Sequence, residues 1–327
     1  MDKCIAGRVE WRGENTRRKG KMNMSMKDKA IAEVMARAVA WFTTNNPQNV
    51  PAPMVAAVKK LPPMQKFFET HDVYEGTLES FDGLKIAFTR FRSKKGCNWD
   101  GKNHVIVIVH GFQVQQAIMW LCMPFFLPLG YDCVTVDLRT AGLSEGKGIN
   151  TMGYNEAKDV GEVCKWIRKE YGDDVVLGLY GQSMGSATIM QYSADDPNLG
   201  FIIEDCGYAS LKGTVKELRD RLLKFVDFDE FYPRVLKYAT VDGVTYDDVE
   251  PIESIRKLDP DIPMLILHSI PDAYIVCDNA DLIYEAKQGK KEIQKFTIAP
   301  HSASCFLHPI QYKKAIDGFM KKYDLVK

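Results

Sequence analysis

Gly181-Gln182-Ser183-Met184-Gly185 is a serine with glycine two residues before it and two after, and the stretches on either side decide how it is read. Ahead of it, Val175 to Tyr180 (VVLGLY) has the length and apolar content of a buried strand; behind it, Ser186 to Tyr192 (SATIMQY) opens a helix. A serine on a sharp strand-to-helix turn carries its hydroxyl above the sheet edge, and its flanking positions lie so close to neighbouring backbone that only small residues fit. The bare string arises by accident in unrelated chains; between a strand and a helix it marks a serine presented for nucleophilic attack.

Working outward, Val73 to Ser80 and Leu84 to Phe91 flank the turn Phe81-Asp82-Gly83 and read as an antiparallel hairpin. Strands are then expected at His104 to Val109, Cys133 to Asp137, Val175 to Tyr180, Phe201 to Asp205, Met264 to His268 and Ile293 to Ile298. Helices are expected at about 115–128, 154–171, 184–194, 278–287 and 309–323. This alternation predicts an α/β fold with a mostly parallel central sheet covered on both faces. The stretch from Asp205 to Met264 is longer than a simple crossover needs, which predicts a helical cap insertion at about 209–258. Upstream, residues 1–27 are polar and basic and read as a flexible tail. Residues 28–72 hold an amphipathic helix, Asp28 to Phe42 with Ile31, Val34, Met35, Ala38, Val39 and Phe42 as its apolar positions, and then a proline-rich connector, Pro47 to Pro63. The main domain is thus expected over 73–327.

The 327 residues are 46% hydrophobic, enough for a large core, and 43 basic side chains balance 43 acidic ones. That balance argues against a nucleic acid, an anionic membrane or a polyanion as partner and leaves a small molecule. Eight scattered cysteines with no Cys-x-x-Cys pair fit a reducing cytoplasm. With no long apolar run and no basic-then-apolar N-terminal signal, neither membrane insertion nor secretion is expected.

A serine hydroxyl attacks only when a base takes its proton, and the base needs an acid to fix its tautomer. In the fold that carries such elbows the chain order is serine, acid, histidine. Of the six histidines, His71, His104, His110 and His268 come too early, which leaves His301 and His308. His301 sits in the loop Ala299-Pro300-His301-Ser302 directly after the last strand and is preferred; His308 precedes Pro309 at a helix start and reads as structural. For the acid, Asp272 follows the strand Met264 to His268 and is preferred over Asp205, at the end of the preceding strand, and over Asp261 and Asp278. The oxyanion of a tetrahedral intermediate needs two backbone donors. Position gives Met184, next to the serine, and Phe112, in the His110-Gly111-Phe112 turn after the strand VIVIV. No cofactor is called for, and neither His110 nor His268 belongs to a metal-ligand motif such as HExxH.

Together, HGF at 110, DLRTAGLSEG from Asp137, GQSMG at 181, EDCGYAS from Glu204, the aspartate loop at 272 and the APHS loop at 299 resemble the α/β-hydrolase superfamily from about Val73 onward. Within it the chain looks most like bacterial serine hydrolases related to cinnamoyl esterases and to prolyl-oligopeptidase-like peptidases. The family usually carries a proline eight residues past its histidine, and Pro309 stands there. The chain departs from the family at three places. Asp137-Leu-Arg139-Thr-Ala-Gly142 replaces Asp-x-Arg-Gly-His-Gly, His268-Ser-Ile-Pro-Asp272 replaces a loop opening His-Gly, and Ala299-Pro300 replaces a glycine-rich approach to the histidine.

In the insertion, Leu211 to Phe225 reads as a helix with Val215, Leu218, Leu222 and Phe225 facing the catalytic core, and aromatics follow at Phe228, Phe231, Tyr232 and Tyr238. The expectation is a carboxylic-ester hydrolase of the serine esterase type, with Ser183, His301 and Asp272 as triad and a small to medium, partly apolar substrate under a lid. A peptidase or amidase with the same triad, and a ligand-binding protein on the same fold, are the alternatives.

Overall fold

The runs His104–Val109 (HVIVIV) and Met264–Ser269 (MLILHS) are buried at every position, which a strand achieves only when both faces of its sheet are covered. The computed structural model describes residues 24–45, 57–146 and 150–327. Its strands are β1 (Val73–Glu79), β2 (Lys85–Phe91), β3 (His104–Val109), β4 (Asp132–Val136), β5 (Val176–Gln182), β6 (Phe201–Asp205), β7 (Met264–Ser269) and β8 (Lys291–Phe296). They form one eight-stranded sheet in the order β1-β2-β4-β3-β5-β6-β7-β8. β1 and β2 pair antiparallel, as do β2 and β4, and every other pairing is parallel. The period of two divides the core: Val105, Val107 and Val109 of β3 join one apolar cluster, while Ile106 and Ile108 join the other. The molecule therefore has the α/β-hydrolase fold.

Along the chain the helices are α1 (Met26–Ala40), α2 (Pro62–Thr70), α3 (Tyr154–Tyr171), α4 (Met184–Ser193), α5 (Leu211–Leu222), α6 (Phe228–Ala239), α7 (Pro251–Lys257), α8 (Asp278–Ala286) and α9 (Pro309–Lys322). Helices α5, α6 and α7 all lie in the connection from β6 to β7. The expected basic tail lies outside the described residues up to position 23, and so does the connector over 46–56. α1 starts at Met26, inside the stretch read as tail, because Ser25 caps it by accepting from the Asp28 amide.

Four expectations about faces and extents are corrected. In α1 the buried positions are Ala32, Ala36, Val39 and Ala40, whereas Val34 is 65% and Phe42 43% exposed. Of the expected stripe, Val39 is buried and Ile31 and Met35 pack on the core, so the inward face is shifted toward Ala32 and Ala36 rather than replaced, and α1 lies on α6. In α5 only Leu211 and Val215 are buried, and Leu222 and Phe225 are exposed; beyond the helix, Leu223 and Val226 turn inward instead. The helix expected over 115–128 is a single α-turn, Gln116–Met119, followed by 3-10 segments Trp120–Phe125 and Leu127–Leu129. Pro124 and Pro128 lack the amide protons that an α-helix requires there. β8 also begins at Lys291, ahead of its expected start at Ile293.

Candidate active site

The backbone places the serine before any side chain does. Ser183 joins β5 to α4 with φ 58° and ψ −121°, a left-handed conformation that L residues rarely hold. A Cβ on Gly181 would stand 2.4 Å from the Gly185 carbonyl oxygen, and one on Gly185 would stand 2.4 Å from the Val109 carbonyl oxygen. Both glycines are therefore dictated by backbone contact. The Ser183 amide donates to the Asp205 carbonyl at 2.8 Å, fixing the turn to β6.

The loops after β5, β7 and β8 bring three distant side chains together. His301 Nε2 lies 2.8 Å from Ser183 Oγ, and His301 Nδ1 lies 2.6 Å from Asp272 Oδ2. The other Asp272 oxygen, Oδ1, accepts the amides of Tyr274 at 2.8 Å and Ile275 at 3.0 Å, so the carboxylate is locked in one orientation. Asp272 is buried, while Ser183 and His301 are half-buried. The altered approach to the histidine is held from below, where the Ser269 hydroxyl donates to the Ala299 carbonyl.

Asp205, the rival acid, does not meet His301. Its Oδ2 accepts Gln182 Nε2 at 2.9 Å, the Tyr312 hydroxyl at 2.9 Å and the Tyr180 hydroxyl at 3.3 Å. Burial raises its pKa, and the Gln182 and Tyr312 donors oppose the rise. Gln182 also donates to the Ser302 carbonyl at 3.3 Å, tying the elbow to the histidine loop. Sequence reasoning passed over Gln182 and Tyr312, although Gln182 sits inside the elbow motif. His308 stacks on Phe296, with ring centroids 5.6 Å apart, and is the residue preceding α9. His268 Nε2 donates to the Ile275 carbonyl at 2.9 Å and stands 3.6 Å from Asp272 Oδ2. Asp261 lies at the surface, paired with Lys290, and Asp278 opens α8.

Gly111 passes directly over the serine: a Cβ there would be 3.1 Å from both Ser183 Cβ and the Gln182 carbonyl oxygen. Phe112 follows it and Met184 heads α4, the two positions expected to supply donors. His110 braces this turn by donating from Nδ1 to the Gly111 carbonyl at 2.7 Å and accepting the Leu138 amide on Nε2 at 3.0 Å. Asp137 accepts the Gln116 amide at 2.8 Å and so anchors the segment that follows. Where the family carries its first glycine, Thr140 takes φ 68°, so the left-handed turn is retained without the residue that favours it. Arg139 spans Asp159 at 2.7 Å and Asp82 at 2.9 Å beneath the same loop.

Among the described residues, Cys206, Asp272 and His301 each offer a ligand atom within 4.8 Å of the others, the one grouping of metal-binding type. Two of those atoms are already bonded to each other. The cysteines of the described residues, Cys97, Cys122, Cys133, Cys164, Cys206, Cys277 and Cys305, are free thiols.

Beneath α4, Glu204 is fully buried, and burial pushes its pKa up to about 8. One of its oxygens accepts the Gly207 amide at 2.9 Å, and the other has no partner. A folded pKa above the unfolded value means the native state holds the extra proton between about 4.5 and 8, so stability falls as pH rises through that window. Glu204→Gln keeps the amide contact and removes the charge. Its advantage in Tm over wild type is expected to be larger at pH 8 than at pH 5, by on the order of 5 °C, measured by thermal denaturation across that range.

Against known proteins, the profile of the family described as X-Pro dipeptidyl-peptidase (S15 family) matches residues 12–259. The chain belongs to the S15 peptidase family. The matched span of this S15 chain includes the elbow and ends ahead of Asp272 and His301. The uncharacterized protein YqkD of Bacillus subtilis is 26% identical over 267 residues, covering 76% of this chain and 83% of that one. Among solved structures, the esterase Pf2001 of Pyrococcus furiosus superposes with a TM-score of 0.64 at 17% identity, over 86% of this chain and 98% of that one. The acylaminoacyl peptidase of Pyrococcus horikoshii gives 0.58 at 17% identity, over 81% of this chain and 43% of that one. At such identities the structural likeness speaks for the fold, and the family match makes the S15 chain a hydrolase. Among the described residues, no helix is long and apolar enough to cross a membrane.

Proposed function

We propose that this hydrolase cleaves carboxylic esters with a partly apolar acyl group through an acyl-enzyme on Ser183. The observation that carries the reading is the continuous relay from Ser183 Oγ to His301 Nε2 at 2.8 Å and from His301 Nδ1 to Asp272 Oδ2 at 2.6 Å. Ser183 Oγ attacks the carbonyl carbon as Nε2 takes its proton, and Asp272 holds the imidazole with Nδ1 protonated. The carbonyl oxygen becomes an oxyanion, received by the amides of Phe112 and Met184. Collapse expels the alcohol, which takes the proton from Nε2. Water, deprotonated by the same nitrogen, then attacks the acyl carbon and frees Ser183. No metal or organic cofactor takes part in this scheme, and the substrate is a small molecule.

The rim supports an ester. Tyr274 stands 71% exposed against His301, with ring centroids 5.5 Å apart, and suits apolar contact rather than recognition of a charged terminus. An alkoxide or phenolate also leaves with less help from a general acid than an amine does. The family match favours a second reading, a peptidase acting on the same triad. Turnover of p-nitrophenyl acyl esters and of X-Pro p-nitroanilides separates the two. The ester reading expects kcat/KM at least about 100-fold higher on the esters, in line with the contribution of acid catalysis; preference for the anilides gives the site to the peptidase. Intact mass after a fluorophosphonate, with the adduct mapped to Ser183, establishes the nucleophile for either. Helices α5 to α7 serve as the lid in this scheme.

A further inference from the structure

Cys206 takes no part in the relay from Ser183 to Asp272, yet its thiol lies against it. β6, β7 and β8 are neighbours in the sheet, so the turns leaving their carboxyl ends converge, and they carry Cys206, Asp272 and His301 in that order. Cys206 holds a left-handed φ of 52° directly after β6, and its amide donates to the Leu267 carbonyl at 2.8 Å. Ser302, next to His301, has φ 58°, and its hydroxyl meets Cys206 Sγ at 3.3 Å. The thiol is thereby held at the triad: Cys206 Sγ, an Asp272 oxygen and a His301 ring nitrogen all stand within 4.8 Å of one another.

A thiolate, a carboxylate and an imidazole make a ligand set that suits zinc and leave a fourth position for water. With metal–ligand distances of about 2.0–2.3 Å, the ligand atoms of a tetrahedral site stand roughly 3.5 Å apart. The widest separation here therefore needs to shrink by little more than about 1 Å. The thiolate and the carboxylate neutralise the two charges of the ion, and the Ser302 hydroxyl is placed to donate to the thiolate. Although Cys206 and Asp272 are buried, the His301 side chain is 17% exposed, which leaves an approach from solvent.

From this geometry we infer that Cys206, Asp272 and His301 form an inhibitory site for Zn²⁺, a thiophilic cation that switches the triad off. For its effect on turnover the inference rests on the ester-hydrolase reading above; the binding itself does not. On binding, the thiol releases its proton to water and its sulfur bonds the ion, while Asp272 exchanges the His301 N–H for the metal. A neutral imidazole has one free lone pair. If His301 ligates through Nδ1, its ring proton has moved to Nε2, which then donates to Ser183 instead of accepting from it; ligation through Nε2 occupies the same lone pair. In both cases the base is lost while the elbow and the turn at Gly111 stay in place, so inhibition lowers kcat rather than raising KM.

The test uses the full chain freed of metal by dialysis against EDTA, with zinc chloride titrated into turnover of p-nitrophenyl acetate and Co²⁺ as a spectroscopic stand-in for zinc. Zn²⁺ is expected to lower kcat and EDTA to reverse it, while Mg²⁺, which takes oxygen ligands, has no effect. With each variant compared to its own metal-free rate, Cys206→Ala and Cys206→Ser are expected to raise the inhibitory midpoint at least about tenfold. Cys97→Ala, at a thiol whose carbonyl accepts the His104 amide at the other end of the sheet, leaves the midpoint where it was. Co²⁺-loaded wild type is expected to show a thiolate-to-cobalt absorption band that Cys206→Ala lacks, with Tm measured alongside to confirm that each variant is folded. Equal midpoints in wild type and Cys206→Ala, or Co²⁺ bound without the thiolate band, overturn the site. A wild type that shows the band but takes up no fluorophosphonate on Ser183 and turns over no ester keeps the metal site and overturns the hydrolase reading instead.

Discussion

Ser183→Ala is expected to lower kcat/KM on any ester the wild type turns over by about 10⁵-fold, because the other triad members have nothing to activate once the oxygen is gone. The fold should scarcely register the change. The strain lies in the backbone, at φ 58° and ψ −121°, and alanine must hold the same angles between the same two glycines. Tm is therefore expected to stay close to that of wild type, whereas Ser183→Gly is expected to be more stable by about 1 kcal/mol, since glycine adopts that conformation without strain. A stabilised but inactive Ser183→Gly beside an unshifted, inactive Ser183→Ala would show that the chain holds its nucleophile at a conformational cost. Retained activity in Ser183→Ala, measured against a mock purification, would place the chemistry elsewhere.

Asp272→Asn is expected to cost about 10⁴ in kcat with little change in Tm. The Asn carbonyl oxygen can still accept from Tyr274 and Ile275, as Oδ1 does now at 2.8 and 3.0 Å. The amide nitrogen then faces His301 Nδ1, which must give up its proton to accept, and the proton moves to Nε2, where the imidazole can no longer take one from Ser183. Asp205→Asn is the matched control, since Asp205 was the other acid to consider. There the amide oxygen can still accept from Gln182, Tyr312 and Tyr180, but the new nitrogen takes the place of Oδ1, which has no partner, and this buried unpaired donor is expected to cost about 1–3 kcal/mol in stability. Chemical denaturation and steady-state kinetics on both variants separate the roles: Asp272 should move the rate and Asp205 the stability. The reverse pattern would exchange the two carboxylates.

Strands were the most legible part of the chain because HVIVIV and MLILHS are too apolar and too short to be anything else once both faces are covered. Helix faces were less legible. In α1 the larger residues suggested one stripe, of which Ile31, Met35 and Val39 do pack inward, but Ala32 and Ala36 share that face and Val34 is exposed. Leu222 and Phe225 erred the same way, since a stripe gives amphipathicity without saying where the helix stops. Of the site, Ser183 could be read locally because its motif is a backbone constraint. His301 and Asp272 needed chain order as well as local context, for either residue type is unremarkable alone. Gln182 lay inside the motif but, like Tyr312, acts through Asp205, a partner distant in sequence that local context does not announce.

The separation of 118 positions from Ser183 to His301 also sets a timetable. A chain emerging from synthesis in order carries Ser183, its strained turn and helices α5 to α7 before the histidine that the proposed relay needs. After it come Tyr312, whose hydroxyl donates to Asp205, and Leu325, whose carbonyl accepts from the Tyr131 hydroxyl. In the relay proposed here, a copy that stops short of His301 has no base to take the proton of Ser183. Under that reading, reactivity waits for β8 to join the sheet and for the loop that follows it.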